Sequence, residues 1–205
     1  MYVFLLWEVI NIILDTNTTM NTNIKNLNTK TLNKNINTLS RADAVHAKSR
    51  IAAAERARIA PPDTRLSEHF TLREFTDSGT ARLHNIDNTP QPIHIERLRA
   101  LCQQSLEPLR RRFGAIRVTS GYRSQRLNAL VGGAPTSQHT MGEAADIHTG
   151  GRETSQKMYD YARQHVPYDQ LILERKVSHG TYWLHLSLRS DRPGNRHEAF
   201  QLTVK

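Results

Sequence analysis

Apolar positions change their period several times along this chain, and each change predicts an element. Between residues 93 and 113, Ile95, Leu98, Leu101, Cys102, Ser105 and Leu109 recur every three or four positions, the spacing of one face of an α-helix. Pro90 and Pro92 precede this helix, Pro108 is a source of a kink inside it, and Gly114 supplies a stop. Beyond Gly114 the period falls to two. Ile116 and Val118 alternate with Arg117 and Thr119, which predicts a strand ending at Gly121. A short helix over 124–131 follows, then a loop at Gly132, Gly133 and Pro135. Residues 144–147 read as a short strand, and 153–165 as a helix with Met158, Tyr161, Ala162 and His165 on one side. YDQLILE (168–174) and TYWLHLSL (181–188) are strand-like and joined through Gly180, an antiparallel hairpin, and AFQLTV near the end adds an edge strand. The predicted class is α+β, with helices on one side of a small antiparallel sheet.

Upstream of this region the pattern weakens. Residues 41–60 are rich in Ala, Arg and Glu and favour an exposed helix, ended by Pro61 and Pro62. In LSEHFTLREF, Ser67 or Thr71 can cap a turn, Glu74 is the capping-box partner of Thr71, and Phe70, Leu72 and Phe75 anchor it. Residues 16–39 contain Asn or Thr at 15 of 24 positions. So little apolar surface cannot offset the entropy of ordering the chain, and the stretch reads as disordered. The expected organisation is an N-terminal extension over 1–63 and a folded domain over 64–205. Residues 1–14 are apolar but lack a basic leading region, and Glu8 interrupts them. They read equally as a poor signal or anchor and as an upstream extension with Met20 as the true start, so no stable membrane span is expected.

Composition narrows the function classes. The net charge is +9, which attracts polyanions in general. The arginines are nonetheless spread among glutamates and resemble solvated helix faces, so no nucleic-acid partner is expected. Cys102 is the only cysteine, which rules out an intramolecular disulfide. Its place in the apolar stripe makes it a small core residue.

The candidate chemistry lies in three potential metal ligands: His139, Asp146 and His185. Two imidazoles and a carboxylate leave one position of a tetrahedral metal for water. His139 and Asp146 are seven residues apart, with Gly142 between them to let the chain turn. Alternation along 181–188 puts Trp183, His185 and Ser187 on one face of a strand. Spacing alone leaves His139 open between a metal ligand and an ordinary loop histidine, since the chain has 10 histidines.

A longer pattern surrounds these residues. SQHTMGEAADI carries Ser-x-His-x-x-Gly-x-Ala-x-Asp at Ser137, His139, Gly142, Ala144 and Asp146, followed by Trp-x-His at Trp183 and His185. With SGYRS (120–124), DQLILE (169–174) and HFTLREF (69–75), it resembles the zinc D-Ala-D-Ala carboxypeptidases and related wall endopeptidases, peptidase family M15, over roughly residues 65–190. The resemblance implies the hedgehog/DD-peptidase type of fold, zinc held by His139, Asp146 and His185, and hydrolysis of the peptide part of bacterial peptidoglycan. It also implies that Arg123, in the SGYRS segment, contacts the substrate. Ser137 and Gln138 are candidate contacts to the ligands or the substrate backbone.

Many members of that family carry the proton acceptor two or three residues before the last histidine ligand. Here those places hold Trp183 and Tyr182. Glu174, which closes the DQLILE strand, and His179, in the hairpin turn, are the candidate bases. Each has a plainer reading, Glu174 as a strand-end ion pair and His179 as a solvated turn residue. The absent acidic residue keeps open a second reading, a zinc-containing but non-catalytic wall-binding module. A monomer acting on the cell wall is expected, and the lack of a convincing signal peptide fits an endolysin-like enzyme.

Overall fold

The computed structural model describes residues 61–204; the expected disorder over 16–39 and helix over 41–60 lie outside them. The described chain opens with α1 (Leu72–Thr76), whose capping box forms as expected. The Glu74 carboxylate accepts from the Thr71 N–H and hydroxyl at 2.8 and 3.0 Å, and Leu72 and Phe75 turn inward. A second short helix, α2 (Gly79–Leu83), was not evident from the pattern; the Ser78 hydroxyl caps it by accepting from the Ala81 N–H at 3.2 Å.

The long predicted helix is one continuous rod in three parts: α3 (Pro92–Leu101), a π-helical turn (Cys102–Leu106) and α4 (Glu107–Phe113). Pro108 explains the wide turn. It has no N–H for the carbonyl four residues back, and its ring crowds that carbonyl, so the helix widens just before it. Ile95, Leu98, Leu101, Cys102 and Leu109 are buried along one side. Gly114 stops the rod with φ +86°.

Five strands follow: β1 (Arg117–Ser120), β2 (Ala144–His148), β3 (Gln170–Lys176), β4 (Thr181–Ser187) and β5 (Glu198–Val204), in the spatial order β1-β2-β4-β3-β5. A short helix, α5 (Gln125–Leu130), lies between β1 and β2, and α6 (Arg152–His165) between β2 and β3. The first four strands pair antiparallel, as anticipated, but β5 joins β3 in parallel, so the sheet is mixed. The reason is geometric. β4 ends beside the start of β3 and its far edge is taken by β2, so a chain returning from that end enters along β3 in the same direction.

The sheet has two different faces. Ala145, Ile147, Leu171, Leu173, Leu184 and Leu186 pack into the core with the helices. On the other face stand Asp146, Trp183, His185, Ile172 and Glu174, set by strand alternation. The return segment 189–197 is held by two wholly buried carboxylates. Asp169 accepts from the Arg196 backbone and guanidinium at 2.6–3.0 Å, and Arg189 stands 3.2 Å away. Glu143 accepts from Arg192 at 2.9 Å and from Gln138 at 3.2 Å.

Two stability predictions follow from this packing. A Cβ on Gly121 would lie 2.6 Å from the Phe75 Cα and carbonyl oxygen, a backbone contact that cannot give easily. Gly121→Ala should lower stability by about 1–3 kcal/mol, read as a reduced urea midpoint with unchanged slope. For Asp169, burial favours the neutral acid, but the bonds and charge of Arg196 win and hold the carboxyl below its ordinary range. A depressed folded pKa gives stability that is full above the unfolded value and lost as pH falls through the folded one. Asp169→Asn should therefore cost roughly 3 kcal/mol near neutrality, and its gap to wild type should close in strong acid.

Candidate metal centre

The centre is built on one rung of the sheet. Asp146 on β2 and His185 on β4 are directly paired residues on the same face, so backbone register alone brings their side chains together. The third member, His139, comes from a single 3-10 turn, Gln138–Met141, ahead of β2. Gly142 ends that turn at φ +69°, in the left-handed region, and a Cβ there would meet the His94 carbonyl oxygen at 2.6 Å. Both reasons demand glycine at this position of the motif.

The Asp146 carboxylate is the hub. Its Oδ1 lies 2.9 Å from His185 Nδ1 and 3.3 Å from His139 Nε2, and its Oδ2 accepts from Arg123 Nη2 at 3.0 Å. The imidazole centroids are 5.1 Å apart, and the three potential ligand atoms all lie within 4.8 Å of one another. His139 is fixed from behind: its Nδ1 meets the Gly121 carbonyl at 2.7 Å, so Nδ1 carries the proton and Nε2 points its lone pair into the cluster. A carbonyl behind a ligating histidine is the usual device for setting its tautomer.

Electrostatics favour a cation here. Burial alone would raise the Asp146 pKa, but attraction and hydrogen bonds from His139 and His185 win and hold the carboxyl well below the usual carboxylate range. The His139 pKa is lowered, chiefly because burial disfavours imidazolium. An ionised carboxylate and a neutral imidazole are the forms a metal needs. Two nitrogens and one carboxylate oxygen suit zinc, with room left for one water.

The other expected residues fall at differing distances. Arg123 follows β1 and is bound at two points, its Nε donating to Ser120 Oγ at 3.0 Å and its Nη2 to Asp146. It therefore orients the Asp146 carboxylate, and only the rest of its fork is left for other partners. Ser137 precedes the 3-10 turn, and its carbonyl accepts from the Thr140 hydroxyl at 2.7 Å. Gln138 bridges outward, donating to Glu143 at 3.2 Å and accepting from Arg196 at 3.2 Å, so it ties the turn to the return segment.

Glu174 pairs with Trp183 on the site face and is the diagonal neighbour of His185. It is half-buried, and its pKa is raised, first by burial and then by the Asp146 charge. His179 lies in the turn that closes the hairpin, exposed. It is six residues from His185, on the order of 20 Å along a strand, and the structure does not bring it into the cluster.

Three contributors were not anticipated from the sequence. The Gly121 carbonyl is a backbone group, visible beforehand only as the glycine of SGYRS. The buried Glu143 occupies a variable place inside the metal motif and looks like an ordinary surface residue in sequence. Asn88 donates to the Thr76 and Tyr122 carbonyls at 2.9 and 3.0 Å and accepts from the Ser124 N–H at 2.7 Å, clamping the segment that carries Arg123. Nothing in its local sequence marked it.

Among curated proteins none matches the chain. A family model described as Peptidase M15 does match, over residues 68–186. The match spans the whole cluster, from HFTLREF through the 3-10 turn to both paired strands, and the chain belongs to the M15 peptidase family.

Proposed function

We propose that this protein is a zinc metallopeptidase hydrolysing peptide bonds of bacterial peptidoglycan, with His139, Asp146 and His185 as the zinc ligands. The observation that supports it best is the convergence of two imidazole nitrogens on one largely buried carboxylate oxygen, at 2.9 and 3.3 Å. The catalytic unit in this reading is the domain over 64–205, with 1–63 as an extension. Among the described residues no helix is long and apolar enough to cross a membrane.

Zinc in such a site supplies Lewis-acid activation of a water and of the scissile carbonyl. The chain's own groups do the rest. Glu174, raised in pKa and diagonal to His185, accepts the proton of the attacking water and returns it to the leaving amine. Its nearness to the cluster favours it over His179. Arg123 holds Asp146 and presents its remaining nitrogen to a substrate carboxylate. That arrangement favours a bond close to a free C-terminus, as in removal of a terminal D-alanine, over cleavage within a cross-bridge. Ser137 and Gln138 stand at the start of the 3-10 turn that carries His139, with the Gln138 amide held by Glu143 and Arg196.

Zinc content and wall digestion test the reading. Purified protein should carry about one zinc per chain and release fragments from wall material, identified by mass spectrometry of muropeptides. His139→Ala should lose both metal and activity; full retention of both would overturn the assignment. Glu174→Gln should keep its zinc while turnover falls by roughly 10²–10⁴-fold. A wild type that binds zinc but leaves every muropeptide intact would instead identify a wall-binding module.

A further inference from the structure

The rung of the sheet next to the metal cluster holds a second set of paired side chains on the same face. His148 on β2 stands opposite Trp183 on β4, and Trp183 stands opposite Glu174 on β3. Trp183 is the only tryptophan among the described residues and, like Glu174, is half-buried. Directly paired residues on one face bring their Cβ atoms to about 4.5–5.5 Å, so the indole and the carboxylate meet. The indole N–H donates to the Glu174 carboxylate. Among the described residues no arginine, lysine or histidine is ion-paired with that carboxylate. Arg123, whose charge reaches it, is bonded instead to Asp146 and Ser120.

We infer that Trp183 is a positioning residue for Glu174: its indole N–H holds one carboxylate oxygen and turns the other toward the metal cluster. The inference rests on the peptidase reading above, in which Glu174 takes the proton of the attacking water. A glutamate side chain alone has three rotatable bonds and samples several rotamers. A tryptophan has two, and β4 is the central strand, bonded to a neighbour on each side. The ring is therefore the stiffer partner. The kind of donor matters as well. An indole N–H is neutral, donates one bond and cannot itself take up a proton. It fixes a base without competing for the proton, and it leaves the second oxygen free. Burial and then the Asp146 charge raise the Glu174 pKa, and the indole bond opposes them only in part. A lysine or arginine in the same place would add a full opposite charge, which keeps a carboxylate ionised and weakens it as a base. His185 lies two residues further along β4 on the same face, about 7 Å away. One strand thus carries both a side chain of the cluster and the group that aims the base.

The experiment separates the N–H from the ring. Trp183→Phe keeps an aromatic ring on the rung and removes the donor. With the zinc-loaded full chain and the muropeptide that the wild type cleaves fastest, its kcat should fall roughly tenfold or more, while KM, zinc content and melting temperature stay at wild-type values. The double variant Trp183→Phe/Glu174→Gln should be no slower than Glu174→Gln alone, because a residue that acts through the base then has nothing left to position. The NMR signal of the Trp183 indole N–H reads the contact independently of turnover, and it should move upfield on Glu174→Ala. Unchanged kcat or loss of zinc in Trp183→Phe, a loss that adds in full to that of Glu174→Gln, or an indole signal indifferent to Glu174→Ala would each overturn the positioning role and leave the peptidase reading intact. A wild type that cleaves no muropeptide would instead sink the peptidase reading, and the positioning role with it.

Discussion

Everything at this centre depends on keeping one carboxylate ionised in a place with little water. Asp146 is largely buried, and an isolated charge there would be neutralised by proton uptake. Arg123 balances it directly and two imidazoles surround its other oxygen. The resulting site is electrostatically primed for a divalent cation. Removing any one partner leaves the others facing an uncompensated charge. The same requirement explains why Arg123 is tied to Ser120 as well: a guanidinium pinned at two points holds the carboxylate at a fixed angle.

The scaffold around the hub works by close backbone approach. Phe75 presses on Gly121, whose carbonyl orients His139; His94 presses on Gly142, which closes the turn delivering the same histidine. Two segments far apart in sequence, α1 and the start of α3, thus converge on His139. This gives HFTLREF a physical role in the site although none of its side chains touches the cluster. Rigid support of this kind holds a metal ligand to the small tolerance that catalysis needs.

The return segment has a parallel logic. Glu143 and Asp169 are buried acids that make sense only as anchors for Arg192, Arg196 and Arg189. They bind the chain down after β4 and feed it into β5. Without that anchoring the outer edge of β3 would be exposed beside Glu174, the residue proposed to move protons. The arginines that in composition read as solvated surface are, in this region, internal clamps.

The sequence by itself determined the elements and singled out the three residues that the fold brings together. Local runs marked the long helix, α6 and all five strands within a residue or two, because burial on one face imposes a period on each. His139, Asp146 and His185 were legible because a turn glycine and strand alternation are local properties. Only the tertiary structure separated Glu174 from His179 in space, since both precede His185 in sequence and their distances from it depend on the hairpin register. It also decided that β5 runs parallel, that Glu143 is buried, and that Gln138 faces the return segment. Each of these is set by which distant arginine or strand edge arrives beside the residue, and no local pattern encodes that arrival.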